Sequence, residues 1–148
     1  MAKNRYRYWI LERLAKGKSA EWWQAKLVDH LVTESESFGL DSARTQNARA
    51  VLAKHLETNE VFLEARRLRL ENLESFRRSC GENDLNTAFA YQALANNFGL
   101  TGEYEKAEGN LQRVYDIRFR ILGDSHNETI FALDQLARAK AFRNDETG

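Results

Sequence analysis

The side chains that could bind a metal or act as a nucleophile are few and widely separated. The chain has three histidines, His30, His55 and His126, and one cysteine, Cys80. Metal sites need several such ligands at short spacings, which these four residues lack. Cys80 directly precedes a glycine and occupies a position that is apolar elsewhere in the chain, so we interpret it as a small filler residue. Glycines occur singly, without a phosphate-binding loop motif. The sequence therefore predicts no catalytic site, metal or cofactor, and the protein is not expected to be an enzyme.

Charge and targeting signals narrow the class of protein further. Twenty-two Lys and Arg residues balance 22 Asp and Glu residues among 148, which disfavours a polyanionic partner. No apolar stretch is long enough to cross a bilayer, and the charged N-terminus does not resemble a secretion signal. A lone cysteine fits a reducing compartment. We therefore expect a cytoplasmic protein without membrane contact.

A period of 42 residues organises most of the chain. Gly39, Gly81 and Gly123 are 42 residues apart, and a threonine follows each glycine by six residues. Alanine then recurs at 48, 90 and 132, and a Leu-Ala pair at 52, 94 and 136. Short polar residues at 41, 83 and 125 are suited to capping the helix that follows each glycine. Such a period is typical of stacked helical repeats.

Composition and spacing predict an all-α fold built from antiparallel helix pairs. Proline is absent, and residues of high helix propensity are abundant. The apolar spacing predicts about seven helices, alternately named A and B, at about 4–15, 20–36, 42–57, 60–79, 84–99, 103–121 and 126–142. They form one domain, residues 1–148, with pairs at about 4–36, 42–79 and 84–121 and an unpaired helix at 126–142. The aromatic residues of the first pair either cap the stack or form a contact surface.

The repeat resembles the tetratricopeptide repeat (TPR), in the 42-residue form found in kinesin light chains. The resemblance is carried by "ILGDSHNETIFALDQLA" (121–137) and "GEYEKAE" (102–108). It covers residues 38–142 well and residues 4–37 by register only. Asn127 replaces the usual proline, and only the last copy keeps the histidine. The resemblance implies a right-handed α-solenoid that acts as a scaffold or adaptor, with a concave wall of A helices that holds a peptide or protein partner.

Helical spacing predicts which side chains line that concave wall. Charged, amide and aromatic groups in such a row suit an extended peptide, although each residue alone is also compatible with a solvated surface. The candidates are Tyr8, Glu12, Asn47, Lys54, Phe89, Gln92, Asn96, Phe131, Asp134 and Arg138.

A second surface is expected at the last helix. The register predicts a further B helix near residue 145, where the sequence nearly ends. Helix 126–142 would then expose Leu133, Leu136 and Phe142. Either the chain is part of a longer array, or this face forms a homodimer.

Two further interpretations remain as alternatives to the scaffold. The repeats could be a regulatory or sensor segment of a larger ATPase or transcriptional regulator. Nucleic-acid binding through the basic helix 64–78 is less favoured, because glutamates dilute its five arginines. Those arginines are expected on the convex side of the solenoid.

Overall fold

The computed structural model describes residues 17–147, and within that range all regular structure is helical. Six helices follow one another through short turns. They are α1 (Ala20–Phe38), α2 (Ala43–Thr58), α3 (Phe62–Cys80), α4 (Leu85–Leu100), α5 (Tyr104–Leu122) and α6 (Asn127–Thr147). The all-α solenoid predicted from the repeat is confirmed. The first predicted helix, at 4–15, lies outside the described residues.

Each helix packs mainly against its neighbours along the chain, which is the packing of a solenoid. Helices α2, α4 and α6 are A helices, and α1, α3 and α5 are B helices. The small residue of each repeat, Ala48, Ala90 or Ala132, is almost completely buried. The leucine four positions later is buried as well, at Leu52, Leu94 and Leu136. These residues let the A helix approach the B helix before it closely, with large side chains filling the remaining space.

In two of the three repeats, a hydrogen bond from the threonine to the glycine closes the turn from a B helix to the next A helix. Gly81 has φ of 92°, a conformation that disfavours any side chain although an added Cβ would meet no atom within 4 Å. The Gly81 N–H donates to Arg77 O, while Gly81 O accepts from the Thr87 hydroxyl at 2.6 Å. Thr45 donates to Gly39 in the same way at 2.7 Å. Thr129 is equally buried but has no such partner among residues 17–147.

The capping residues lie one position later than the sequence pattern predicts. The Ser42 hydroxyl accepts from Thr45 N, the Asp84 carboxylate accepts from Asn86 N, and His126 Nδ1 accepts from Glu128 N. The predicted caps at 41, 83 and 125 are therefore wrong. Asp41 instead accepts hydrogen bonds from Arg78 of α3, so its side chain joins the turn before α2 to α3.

The last helix is longer than predicted. Residues 59–61 and 101–103 form the turns that end α2 and α4, but the equivalent residues 143–145 remain helical in α6. In the earlier repeats a B helix packs directly after this turn and holds the chain in its reversed direction. No such helix follows α6 within the described residues, and the A-helix hydrogen bonding continues to Thr147.

The Thr-Gly hydrogen bond supplies a stability test. We expect Thr87→Val to lower the free energy of unfolding by about 1–2 kcal/mol, because it leaves the partly buried Gly81 carbonyl without its donor. Urea unfolding followed by circular dichroism measures this change.

Thr129→Val is the matched control, since it removes an equally buried hydroxyl that has no partner in the described structure. We expect it to be neutral within about 0.5 kcal/mol or stabilising. Equal losses in the two variants would contradict the role assigned to the Thr87 bond.

Candidate functional site

The candidate site is a concave groove across the three A helices. Its cavity has a volume of about 640 Å³. Lys54 of α2, Asn96 of α4 and Arg138 of α6 all line it, so three successive repeats contribute to one surface. Phe89 and Gln92 line the same groove, and the B helices α3 and α5 supply its floor.

The structure brings part of the predicted list together and places the other residues elsewhere. Asn47 lines an adjoining cavity of about 290 Å³ between α2, α3 and α4, and Phe89 lines both cavities. Phe131 and Asp134 of α6 line neither. Tyr8 and Glu12 lie outside the described residues. Five of the ten predicted side chains therefore meet in the larger groove.

Gln92 has a structural role that the sequence did not indicate. Its amide oxygen accepts from Arg118 Nη2 at 2.7 Å, and its amide nitrogen donates to Gln135 Oε1 at 3.0 Å. Arg118 is buried in α5, where desolvation lowers the pKa of its guanidinium, and it also pairs with Glu128 at 3.1 Å. Gln92 thus joins α4 to α5 and α6, which leaves less of its hydrogen-bonding capacity for a partner.

A buried ion pair forms part of the groove floor. It was not predicted from the sequence. Arg69 of α3 donates to both carboxylate oxygens of Glu57 of α2, at 2.9 and 3.2 Å. Both side chains are about nine-tenths buried. Asn97 of α4 donates to the same carboxylate at 3.2 Å and to Phe62 O at 3.1 Å. The network therefore fixes three helices at the centre of the groove.

No sequence signal marks this network because its residues do not follow the repeat. Positions 57 and 69 are Gly99 and Leu111 in the next copy. A glutamate and an arginine twelve residues apart on different helices become neighbours only when α2 and α3 pack.

The groove is positively charged although the whole chain is neutral. Its lining carries three cationic side chains, Lys54, Arg69 and Arg138, and one carboxylate, Glu57. Arg69 is neutralised by Glu57, whereas Lys54 has no salt bridge within residues 17–147. Arg138 pairs with Asp134 at 3.1 Å, but both side chains are more than half exposed, so solvent screens that pair. The groove is therefore suited to an acidic group.

Aromatic side chains supply apolar surface beside these charges. Phe89 is more than half exposed at the boundary between the two cavities. Phe142 of α6 stacks on Tyr104 of α5 at a centroid distance of 5.4 Å, and both line the groove. Phe142 was predicted on the self-association face, but its ring lies against the groove instead.

The basic helix 64–78 does not present a free cationic surface. Arg66 and Arg69 do not lie on the convex side as predicted, because they reach Asn97 and Glu57 respectively. The remaining arginines of this segment, Arg67, Arg77 and Arg78, also pair with carboxylates. The hydrogen bonds from Arg78 hold the pKa of Asp41 at about 2. Those from Lys106, Thr101 and Arg66 hold the pKa of Glu103 at about 2 as well.

The predicted self-association residues also occupy different environments. Leu133 is 50% exposed, but Leu136 is only 4% exposed and packs with Leu111 and Ala139. The expectation that Leu136 lies uncovered is wrong, because its side of α6 faces α5. Cys80, expected to be a filler, is exposed at the end of α3.

A comparison with protein-family models matches residues 41–118, more than half of the chain, to the tetratricopeptide repeat. The chain belongs to the tetratricopeptide repeat family. The resemblance to the kinesin light chain form of the repeat is confirmed.

Solved structures place this TPR chain among kinesin light chain-like folds. A kinesin light chain-like protein of Podosopora anserina with nearly identical TPR-like repeats matches with a TM-score of 0.79 at 15% identity, covering 96% of this chain and 67% of the other. BtubC (BKLC) from P. vanneervenii matches with a TM-score of 0.67 at 18% identity, covering 93% of this chain and 61% of the other. At these identities the likeness shows the fold. A comparison with curated proteins found no match.

The described part of the TPR chain has neither a candidate membrane span nor a candidate metal cluster. None of its helices has the length and apolar character needed to cross a membrane. No group of three or more His, Cys, Asp or Glu side chains in residues 17–147 is arranged to hold a metal ion.

The buried ion pair generates a prediction about stability. We expect Arg69→Leu to lower the free energy of unfolding by about 3 kcal/mol, because Glu57 would remain buried without its cation. Replacing both residues, in Glu57→Ala plus Arg69→Leu, should recover most of this loss, since the uncompensated charge is removed. Urea unfolding of the wild type, the two single variants and the double variant gives a double-mutant cycle.

Arg67→Leu serves as the control, since Arg67 is on the same helix but 76% exposed, with its carboxylate partner 3.8 Å away. We expect it to change stability by less than about 0.5 kcal/mol. If Arg69→Leu cost no more than this control, the role given to the buried pair would be wrong.

Proposed function

We propose that this TPR module is a protein-interaction scaffold that binds an acidic peptide segment of a partner in the groove of α2, α4 and α6. The observation that carries the proposal is the convergence of Lys54, Asn96 and Arg138 from three repeats on one positively charged cavity. The general role of TPR proteins as protein-interaction scaffolds supports it.

Each part of the groove has a role in this proposal. Lys54 and Arg138 attract carboxylates at opposite ends of the cavity. Asn96 offers an amide that both donates and accepts, as the backbone of an extended peptide requires. Phe89 provides an exposed ring against which an apolar side chain of the partner packs.

The floor of the groove supports binding by being rigid. The Glu57, Arg69 and Asn97 network joins three helices, so the wall is formed before a partner arrives. A preformed groove loses less conformational entropy on binding than a flexible one. We therefore assign these three residues to positioning of the wall.

The same proposal includes the absence of catalysis. TPR repeats are typically non-enzymatic, and we propose that this chain tethers a partner without chemical change. The cytoplasmic compartment expected from sequence remains a prediction, as does the alternative of a regulatory segment in a larger protein.

Peptide binding tests the proposed groove. Labelled peptides that share one apolar core and differ only in acidic, neutral or basic flanking residues are titrated with the protein by fluorescence anisotropy. We expect the acidic peptide to bind at least about tenfold tighter than the basic one, a difference of about 1.4 kcal/mol. Added salt should reduce this preference, because both cations are solvent-exposed.

Charge reversal locates the site. Lys54→Glu plus Arg138→Glu should abolish or invert the preference for acidic flanks. Arg67→Glu plus Arg120→Glu makes the same change in net charge at exposed positions outside both cavities, and it should leave the preference intact. Equal binding of all peptides by the wild type, or equal effects of the two double variants, would refute the groove as the binding site.

A further inference from the structure

Within residues 17–147, one face of α6 is left uncovered at positions that are buried in the other two A helices. Residues 46, 49 and 53 of α2 are 5%, 5% and 0% exposed, and residues 88, 91 and 95 of α4 are 0%, 8% and 2% exposed. In each case the B helix that follows, α3 or α5, covers these residues. The equivalent residues of α6 are Ile130, Leu133 and Ala137, and all three are exposed, Ile130 by 52% and Leu133 by 50%.

The uncovered face has the shape of a helix-packing surface. Ile130, Leu133, Ala137 and Ala141 follow one side of α6 at helical spacing. In the earlier repeats the alanine of this face lies in the contact with a B helix, where Ala53 and Ala65 belong to one buried cluster. A helix that covers α6 must therefore present small residues opposite Ala137 and Leu133 and a larger residue opposite Ala141.

Lys140 argues against a B helix docked as in the earlier repeats. Its equivalents, Leu56 and Phe98, are 2% and 9% exposed beneath their B helices. Lys140 is exposed, and the same cover would bury its ammonium group without a carboxylate partner in the described structure. A helix that covers α6 must instead cross the centre of the face, so that Lys140 stays at the edge of the contact and reaches water.

We propose that the occupant is α6 of a second copy, packed antiparallel about a two-fold axis near Ala137. In that arrangement Ala137 meets Ala137 of the partner at the crossing. Four residues from the crossing in each direction, Leu133 of one copy lies opposite Ala141 of the other. Helix α6 itself therefore supplies the alternation of small and large residues that the face requires. The dimer face is distinct from the peptide groove, because none of its four residues lines either cavity.

The oligomeric state of the 148-residue chain tests the dimer. A single helix crossing is smaller than the ~1,200–2,000 Å² of stable interfaces, so we expect a concentration-dependent dimer with a micromolar dissociation constant. Sedimentation velocity over a range of concentrations measures it. Leu133→Glu should raise the dissociation constant at least about tenfold, since it places a carboxylate in the apolar crossing.

Phe131→Glu is the matched control, because Phe131 is 48% exposed on the same helix but lies off this face. It should leave the dimer unchanged, and both variants should keep the helical circular dichroism of the wild type. The acidic-peptide preference of Leu133→Glu should also persist, which separates this proposal from the groove.

Cross-linking tests the antiparallel geometry. Ala137→Cys in a Cys80→Ser background should give a disulfide-linked dimer under mild oxidation, because the two-fold axis brings the two residue-137 side chains together. Lys140→Cys in the same background should give much less. A monomer at every concentration, or equal effects of Leu133→Glu and Phe131→Glu, would overturn the proposal and leave a helix from a longer chain as the occupant.

Discussion

Every A helix of this protein needs cover on two faces, one from the B helix before it and one from the B helix after it. A single amphipathic helix cannot bury both, so the structure depends on stacking. Helices α2 and α4 obtain both covers, and their alanines and leucines form continuous buried clusters with the flanking helices. Helix α6 obtains only the first within the described residues. Its buried Leu136 and exposed Leu133 lie three residues apart on the two faces.

The contact between α2 and α3 and the contact between α4 and α5 share one geometry but differ in the chemistry of their buried side chains. Between α4 and α5 the contact is mainly apolar, with Tyr91, Val114 and Ile117 in one cluster. Between α2 and α3 an apolar cluster that includes Ala53 and Ala65 lies beside buried polar groups that bond one another. Gln46 donates to Ser75 at 3.0 Å, and Asn72 donates to Gln46 O at 2.7 Å. A repeat therefore preserves shape more strictly than polarity, provided that each buried polar group finds a partner. This polar interface also places Arg69 where it reaches the groove.

Stacking produces the concave groove. The sides of successive A helices that face away from the B helices together form the inner surface of the curved stack. The side chains that line this groove, in contrast, are specific to this chain. Cations from α2 and α6 meet there, while the arginines of α3 pair with nearby carboxylates. A neutral protein thereby concentrates positive charge on one surface.

The sequence by itself determined the class of fold and the order of its elements. The period of 42 residues, the absence of proline and the recurring alanine and leucine positions are local signals, and each described helix begins within two residues of its predicted start. Helical spacing also predicted which side chains share one face of an A helix. Five of the predicted residues line the groove.

Only the tertiary structure decided the partners of individual side chains. The Glu57 and Arg69 pair, the use of Gln92 as a link to Arg118, and the position of Phe142 on Tyr104 join residues from different helices without following the period. The burial of Leu136 and the exposure of Leu133 likewise depend on which neighbour is present. Helical periodicity specifies the direction of a side chain from its own axis, whereas hydrogen bonding and burial depend on the distance to another helix, which packing alone sets.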